Sequence, residues 1–188
     1  MTKKIKVGLD FDGVTAYNPF RVIRYPITYF KRNILGKKKL SFWFPKRRWQ
    51  QIFWIILHES SVFPARGISL FKEMVENDKI EAHLISARYS FLDDNLQKWL
   101  HRHELSTYFE SVNINQNNEQ PHIFKEKMVK KLGVEYYVED NLDIVKHLHV
   151  RVPAKVFWIY NILDRNVDYQ YKFPYLEKAL VDIMKASS

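Results

Sequence analysis

Cysteine is absent from the 188-residue chain. That excludes disulfides, thiolate nucleophiles and cysteine metal sites together, and it agrees with a reducing compartment. Long apolar runs are absent too. The longest, Ile52 to Leu57, falls far short of the roughly 20 residues of a membrane span. Between the basic start, Met1 to Lys6, and Asp10 stand only Val7, Gly8 and Leu9, too few for the apolar core of a signal peptide. The expected location is the cytoplasm. No glycine-rich phosphate loop occurs, which argues against a P-loop kinase. His101 with His103, and His147 with His149, lack the i, i+4 spacing of a helical zinc site. There is no internal repeat and no low-complexity tract.

What is present is an ordinary globular composition, 46% hydrophobic and 27% charged, in a length that suits one core domain with one insertion. The formal net charge is +9 and the pI about 9.5. A basic excess suits anionic partners, whether nucleic acid, acidic membrane or small phosphorylated molecules, and it equally suits a solvated surface. Aromatic residues, 15% of the chain, crowd into its first third.

Apolar strand-like runs alternate with helix-like patterns. Strands are expected at Lys4 to Leu9, Ile80 to Ile85, Val112 to Ile114, Tyr136 to Val138 and Val156 to Ile159. Several are apolar on both sides, as in a covered parallel sheet. Between them, Leu92, Leu96, Trp99 and Leu100 recur at helical spacing, as do Phe124, Met128, Val129 and Leu132, with Gly133 placed as a stop. Ile144, Val145 and Leu148 continue the alternation, and Tyr175, Leu176, Leu180 and Ile183 predict a closing helix. The alternation predicts an α/β fold with a central parallel sheet. From Thr15 to Pro64 no strand alternation is seen. Helical patterns from Phe20 to Arg32 and from Arg47 to His58 predict a helical insertion at 15–64, leaving 1–14 and 65–188 as the core. The spacing of Trp49, Phe53 and Ile56 suggests that many of the insertion's aromatics pack within it.

The polar residues fall at the strand ends. In an open parallel sheet that edge is where ligands bind. Asp10 and Asp12 follow the first strand, Ser86 the second, and Glu139 with Asp140 the fourth. Lys125 lies near the start of the helix before the fourth. Acids, a hydroxyl and an ammonium at one edge suit Mg²⁺ and a phosphoryl group. One carboxylate can attack phosphorus, and a second can move the proton. Ser86 could donate to a phosphoryl oxygen, Arg88 could add charge, and Lys125 could neutralise phosphate. Each residue alone also has a plainer explanation. Asp-Gly suits a turn, Ser86 and Asp140 suit helix caps, and Lys125 suits a surface beside Lys127, Lys130 and Lys131. Their order along one α/β domain is the stronger signal.

On these residues the chain resembles the haloacid dehalogenase (HAD) superfamily of phosphatases. Val7-Gly8-Leu9-Asp10-Phe11-Asp12-Gly13-Val14 looks like the family's first motif and Leu84-Ile85-Ser86 like its second. Lys125, with Lys127 as a rival, looks like the third, and Tyr137-Val138-Glu139-Asp140 like the fourth. The resemblance spans nearly the whole chain and puts the insertion where the family carries its first cap. It implies a three-layer HAD-like Rossmannoid core and a Mg²⁺ cofactor. It makes Asp10 the nucleophile and Asp12 the acid and base, with Ser86 and Lys125 at the substrate phosphate, beside the Arg88 that the residues alone put forward. The implied metal ligands are Asp10, the backbone carbonyl of Asp12, and Asp140. Glu139 stands where paired aspartates are commoner. The compact insertion and the Asp-Gly-Val ending look most like the 5′-nucleotidase and deoxyribonucleotidase group, which implies a nucleotide substrate. The rival function is a non-catalytic module on the same fold. Its basic clusters Lys37-Lys38-Lys39 and Lys46-Arg47-Arg48, interleaved with Phe42, Trp43, Phe44 and Trp49, would bind nucleic acid or acidic membrane.

Overall fold

The structure is a computed structural model that describes residues 4–17, 41–58 and 61–186. The predicted helix at Phe20 to Arg32 and the cluster Lys37-Lys38-Lys39 lie outside the described residues. In chain order the elements are β1 (Ile5–Leu9), β2 (Ala16–Tyr17), α1 (Arg48–His58), β3 (Phe63–Pro64), α2 (Ile68–Glu76), β4 (Ile80–Tyr89) and α3 (Asp93–Arg102). They continue with β5 (Ser111–Asn115), α4 (Pro121–Leu132), β6 (Tyr136–Glu139), α5 (Leu142–His149), β7 (Lys155–Ile159), β8 (Lys172–Phe173) and α6 (Leu176–Lys185).

Six strands form one sheet in the order β5-β4-β1-β6-β7-β8, with every neighbouring pair parallel. Side chains alternate between its faces. Val7 and Leu9 of β1, Leu84 of β4, Val138 of β6 and Phe157 of β7 join a cluster built with α2, α3 and α6. Ile85, Tyr137, Val156 and Trp158, one residue out of step, join a second cluster built with α4 and α5. Both faces are therefore apolar and both are covered, which makes three layers. Tyr137, Phe157 and Trp158 are fully buried, and each stabilises the fold by about 1.5–3 kcal/mol. Gly8 lets Tyr137 cross the sheet, since a Cβ there would lie 2.8 Å from Tyr137 Cδ2.

The two ends of the 15–64 segment pair as one antiparallel ribbon, Ala16 opposite Pro64 and Tyr17 opposite Phe63. Segment 42–44 lies against the carboxyl side of the sheet. The Phe42 N–H donates to Gln120 Oε1 at 2.8 Å, and Gln120 Nε2 donates back to the Phe42 carbonyl at 3.2 Å. The Tyr89 hydroxyl donates to the Trp43 carbonyl at 3.2 Å, and the Phe44 ring meets Tyr89 edge-on. Helix α1 departs from expectation. Trp49 and Phe53 are exposed, at 63% and 58%, rather than packed together. The helix instead places Trp54 against Trp43, which leaves the Trp49, Ile52 and Phe53 face uncovered.

Candidate active site

β1 lies centrally, between β4 and β6. Its ladder continues one residue past the strand, where the Asp10 N–H donates to the Val138 carbonyl at 2.9 Å. The chain then turns on Gly13, whose φ of 83° favours glycine, and the Gly13 N–H donates to the Ala16 carbonyl. The Thr15 hydroxyl donates to the Asp10 carbonyl at 2.7 Å. These bonds set the Asp10 and Asp12 side chains, both buried, at the carboxyl end of the central strand.

Around Asp10 the structure gathers Lys125, Glu139 and Asp140. Lys125 Nζ lies 2.9 Å from Asp10 Oδ1 and 2.6 Å from Glu139 Oε2. Glu139 Oε1 accepts the backbone N–H groups of Asp140 and Asn141 at 3.1 and 3.0 Å. Asn141 caps α5 by accepting the Asp143 N–H. Ligand oxygens of Asp10, Glu139 and Asp140 all lie within 4.8 Å of one another. Lys127, the rival lysine, turns outward to Glu119.

Burial, then the Glu139 charge, push the Asp10 carboxyl well above its usual range, against the pull of Lys125. Burial also raises Glu139, again opposed by Lys125. Burial alone would lower the Lys125 ammonium, but the Asp10 and Glu139 charges outweigh it and hold the group above the ordinary lysine range. Burial and the neighbouring Glu139 charge drive Tyr137 upward as well, so its hydroxyl stays a donor, 3.3 Å from Glu139 Oε2. Asp10 and Glu139, both buried, thus share the Lys125 ammonium, with the half-buried Asp140 beside them. Hard oxygen donors gathered this closely fit a divalent cation such as Mg²⁺.

Asp12 belongs to a second group. Arg88 Nε donates to its Oδ2 and Arg88 Nη2 to its Oδ1, each at 2.8 Å. The Ser61 hydroxyl donates to Oδ1 at 2.9 Å. Ser86 is buried on β4, and its hydroxyl accepts the Arg88 N–H at 3.3 Å. β4 does not end at Ser86 as expected. It runs on to Tyr89 with a break in register, Ser86 facing Ile114 and Tyr89 facing Asn115. The irregularity re-aims the chain at Ala87 and Arg88, a common use of bulges beside sites. It sends Arg88 to Asp12. Ser61 and Asn95, which accepts from Arg88 Nη1 at 2.8 Å, were not anticipated, because a lone polar residue outside a motif gives no signal.

Comparison with known proteins gives one consistent result. No family model matches the chain, and no curated protein matches it. Among solved structures it is similar to a HAD-superfamily hydrolase from Ehrlichia chaffeensis, with a TM-score of 0.57 and 14% identity over 100% of both chains. It is similar to YfnB from Bacillus subtilis, a HAD-type protein bound to magnesium, with a TM-score of 0.62 and 11% identity over 98% of this chain and 100% of that one. CbbY from Rhodobacter sphaeroides, in complex with phosphate, gives a TM-score of 0.54 and 10% identity, with 94% and 96% covered. The shared property is the fold, the HAD-like Rossmannoid α/β core.

Proposed function

We propose that the chain is a Mg²⁺-dependent phosphate-monoester hydrolase of the HAD superfamily that works through an aspartyl phosphate on Asp10. The observation that carries this is the group of buried Asp10, Glu139 and Lys125 with half-buried Asp140 at the carboxyl end of the central strand. Asp10, Asp140 and Glu139 would hold the metal, with the Asp12 carbonyl as the resemblance implies. When bound, Mg²⁺ supplies neutralising charge to the phosphoryl oxygens. An Asp10 oxygen attacks phosphorus as the ester P–O bond breaks, and Asp12 gives its proton to the leaving alcohol. Water then attacks the acyl phosphate, returns a proton to Asp12 and frees Asp10. Lys125 holds Asp10 in place and neutralises phosphate, while Ser86 donates to a phosphoryl oxygen.

Residues 15–64 serve as the cap in this proposal, excluding water and fixing the leaving group. Segment 42–44 stands beside the carboxyl end of β4, where a flat apolar surface suits a nucleobase. The substrate we infer is a nucleoside monophosphate, in the cytoplasm. Among the described residues no helix is long and apolar enough to cross a membrane. The test is a panel of phosphate monoesters with and without Mg²⁺, comparing kcat/KM for a nucleoside 5′-monophosphate with that for ribose 5-phosphate. A higher value for the nucleotide is expected. Equal values would refute the nucleotidase part, and no Mg²⁺-dependent release from any monoester would refute the whole. A second reading draws on the exposed Trp49, Ile52 and Phe53 beside Arg47 and Arg48, which would suit an acidic membrane or nucleic acid. Asp10 and Asp12 would have no purpose in that module, so we favour the enzyme.

A further inference from the structure

Arg88 has the look of a phosphate ligand in the sequence, but its guanidinium is already engaged. Its Nε–Nη2 edge spans both oxygens of Asp12, the planar fork-to-carboxylate match that only arginine makes. The guanidinium is held in turn. Nη1 donates to Asn95 in the first turn of α3, and its carbon stands 4.5 Å from the centre of the Phe11 ring. Arg88 is 4% exposed and Asp12 8%. The register break in β4 between Ser86 and Tyr89 gives the chain the extra length that brings Arg88 to this position. Among the described residues Asp12 is thereby gripped from two regions, by Arg88 of β4 and by Ser61.

We propose that Arg88 is a positioning residue for the reaction: it fixes the Asp12 carboxyl group in the orientation from which it exchanges a proton with the leaving alcohol and the attacking water, and it does not bind the substrate phosphate. The proposal rests on the hydrolase reading of Asp12. Its physical basis is orientation. An acid–base group displaced by an ångström loses much of its effect, about 10²-fold. A carboxylate pinned through both oxygens has little freedom to swing. Asn95 acts one step further out, by fixing the plane of Arg88.

The test uses the full chain and a monoester that the wild type hydrolyses with Mg²⁺. Arg88→Lys keeps the charge, but one ammonium cannot span both oxygens. The expected result is a kcat roughly 10- to 100-fold lower with KM changed by less than about twofold. Asp12→Asn and the double variant complete a cycle. If Arg88 acts through Asp12, the double variant is no slower than Asp12→Asn alone. A raised KM with kcat retained would show that Arg88 binds substrate, and multiplying losses in the double variant would show that it acts elsewhere; either overturns the proposal. Should Arg88→Lys fail to fold by its melting curve, Asn95→Ala carries the test. A lower kcat at unchanged KM is expected from it, and an unchanged kcat counts against the proposal. A wild type that releases no phosphate from any monoester refutes the hydrolase reading, and this inference falls with it. Failure in the variants alone refutes only the role of Arg88.

Discussion

The two aspartates of the first turn, two residues apart, sit in opposite electrostatic settings. Asp12 faces a guanidinium that matches it charge for charge, with Ser61 and Arg88 on its oxygens. Asp10 shares a single ammonium with Glu139 and has Asp140 close by. The Asp12 half is complete within the protein. In the Asp10 group three carboxyl groups offer oxygens within 4.8 Å of one another, and Lys125 contacts two of them; in the proposed reaction a metal cation completes that group. The difference suggests a division of labour. In the proposed reaction one aspartate is held still to move a proton, and the other takes the metal and attacks phosphorus.

The largest effect that would sharpen this comparison comes from the metal. Removing Mg²⁺ with a chelator should abolish phosphate release. Adding it back should raise the Tm of the wild type, as any ligand of the folded state does. That rise should be lost in Asp140→Asn and kept in Asp12→Asn, whose side chain is committed to Arg88. A rise that survives in Asp140→Asn would place the cation elsewhere.

Next comes the lysine. Lys125→Met leaves Asp10 and Glu139 buried together without their shared cation, and breaking such a buried pair costs about 3–5 kcal/mol. Lys127→Met removes only a surface contact with Glu119 and should be nearly silent in a denaturant melt. Equal effects from the two substitutions would mean that the pocket is wetter than its burial indicates.

A smaller effect should appear with pH in the metal-free protein. Asp10 and Glu139 are both raised on folding, chiefly by burial. A raised acid binds its proton more tightly in the folded state. Its contribution is therefore present at acid pH and is lost as pH rises from the ordinary carboxylate range through the raised value. Lys125, also raised, keeps its contribution until well above that window. Between about pH 5 and about pH 8 the wild type should lose more stability than Asp10→Asn, by about 2–4 °C of Tm for each kcal/mol. Saturating Mg²⁺ at the upper pH should close the gap. An equal pH response in the two proteins would break the comparison.

The sheet was legible because its strands are short apolar runs bounded by polar ends. Asp10 and Asp140 were visible for the same reason, since each follows a strand, whereas Ser86, expected at a strand end, lies inside β4. Helix α2 was harder to see. It begins at Gly67 with no side-chain cap, so its apolar spacing at Ile68, Phe71 and Met74 lacked a start signal. β8 is two residues long, too short to show a period. Arg88 was visible as a charge, but its aim was not, because the register break that turns it toward Asp12 depends on β5. Ser61 meets Asp12 across 49 residues of sequence, and no spacing rule reaches that far. Trp49 and Phe53 share a helix face, yet periodicity says only that they share it. Whether anything covers that face depends on the rest of the fold.

The account turns on Asp10 as the nucleophile. The most direct measurement is acid quenching of the wild-type chain during turnover of a ³²P-labelled monoester with Mg²⁺, followed by peptide mapping. The account predicts label on the peptide that contains Asp10, and neither label nor phosphate release in Asp10→Asn. Turnover that leaves no label on that peptide, and that persists undiminished in Asp10→Asn, would contradict it.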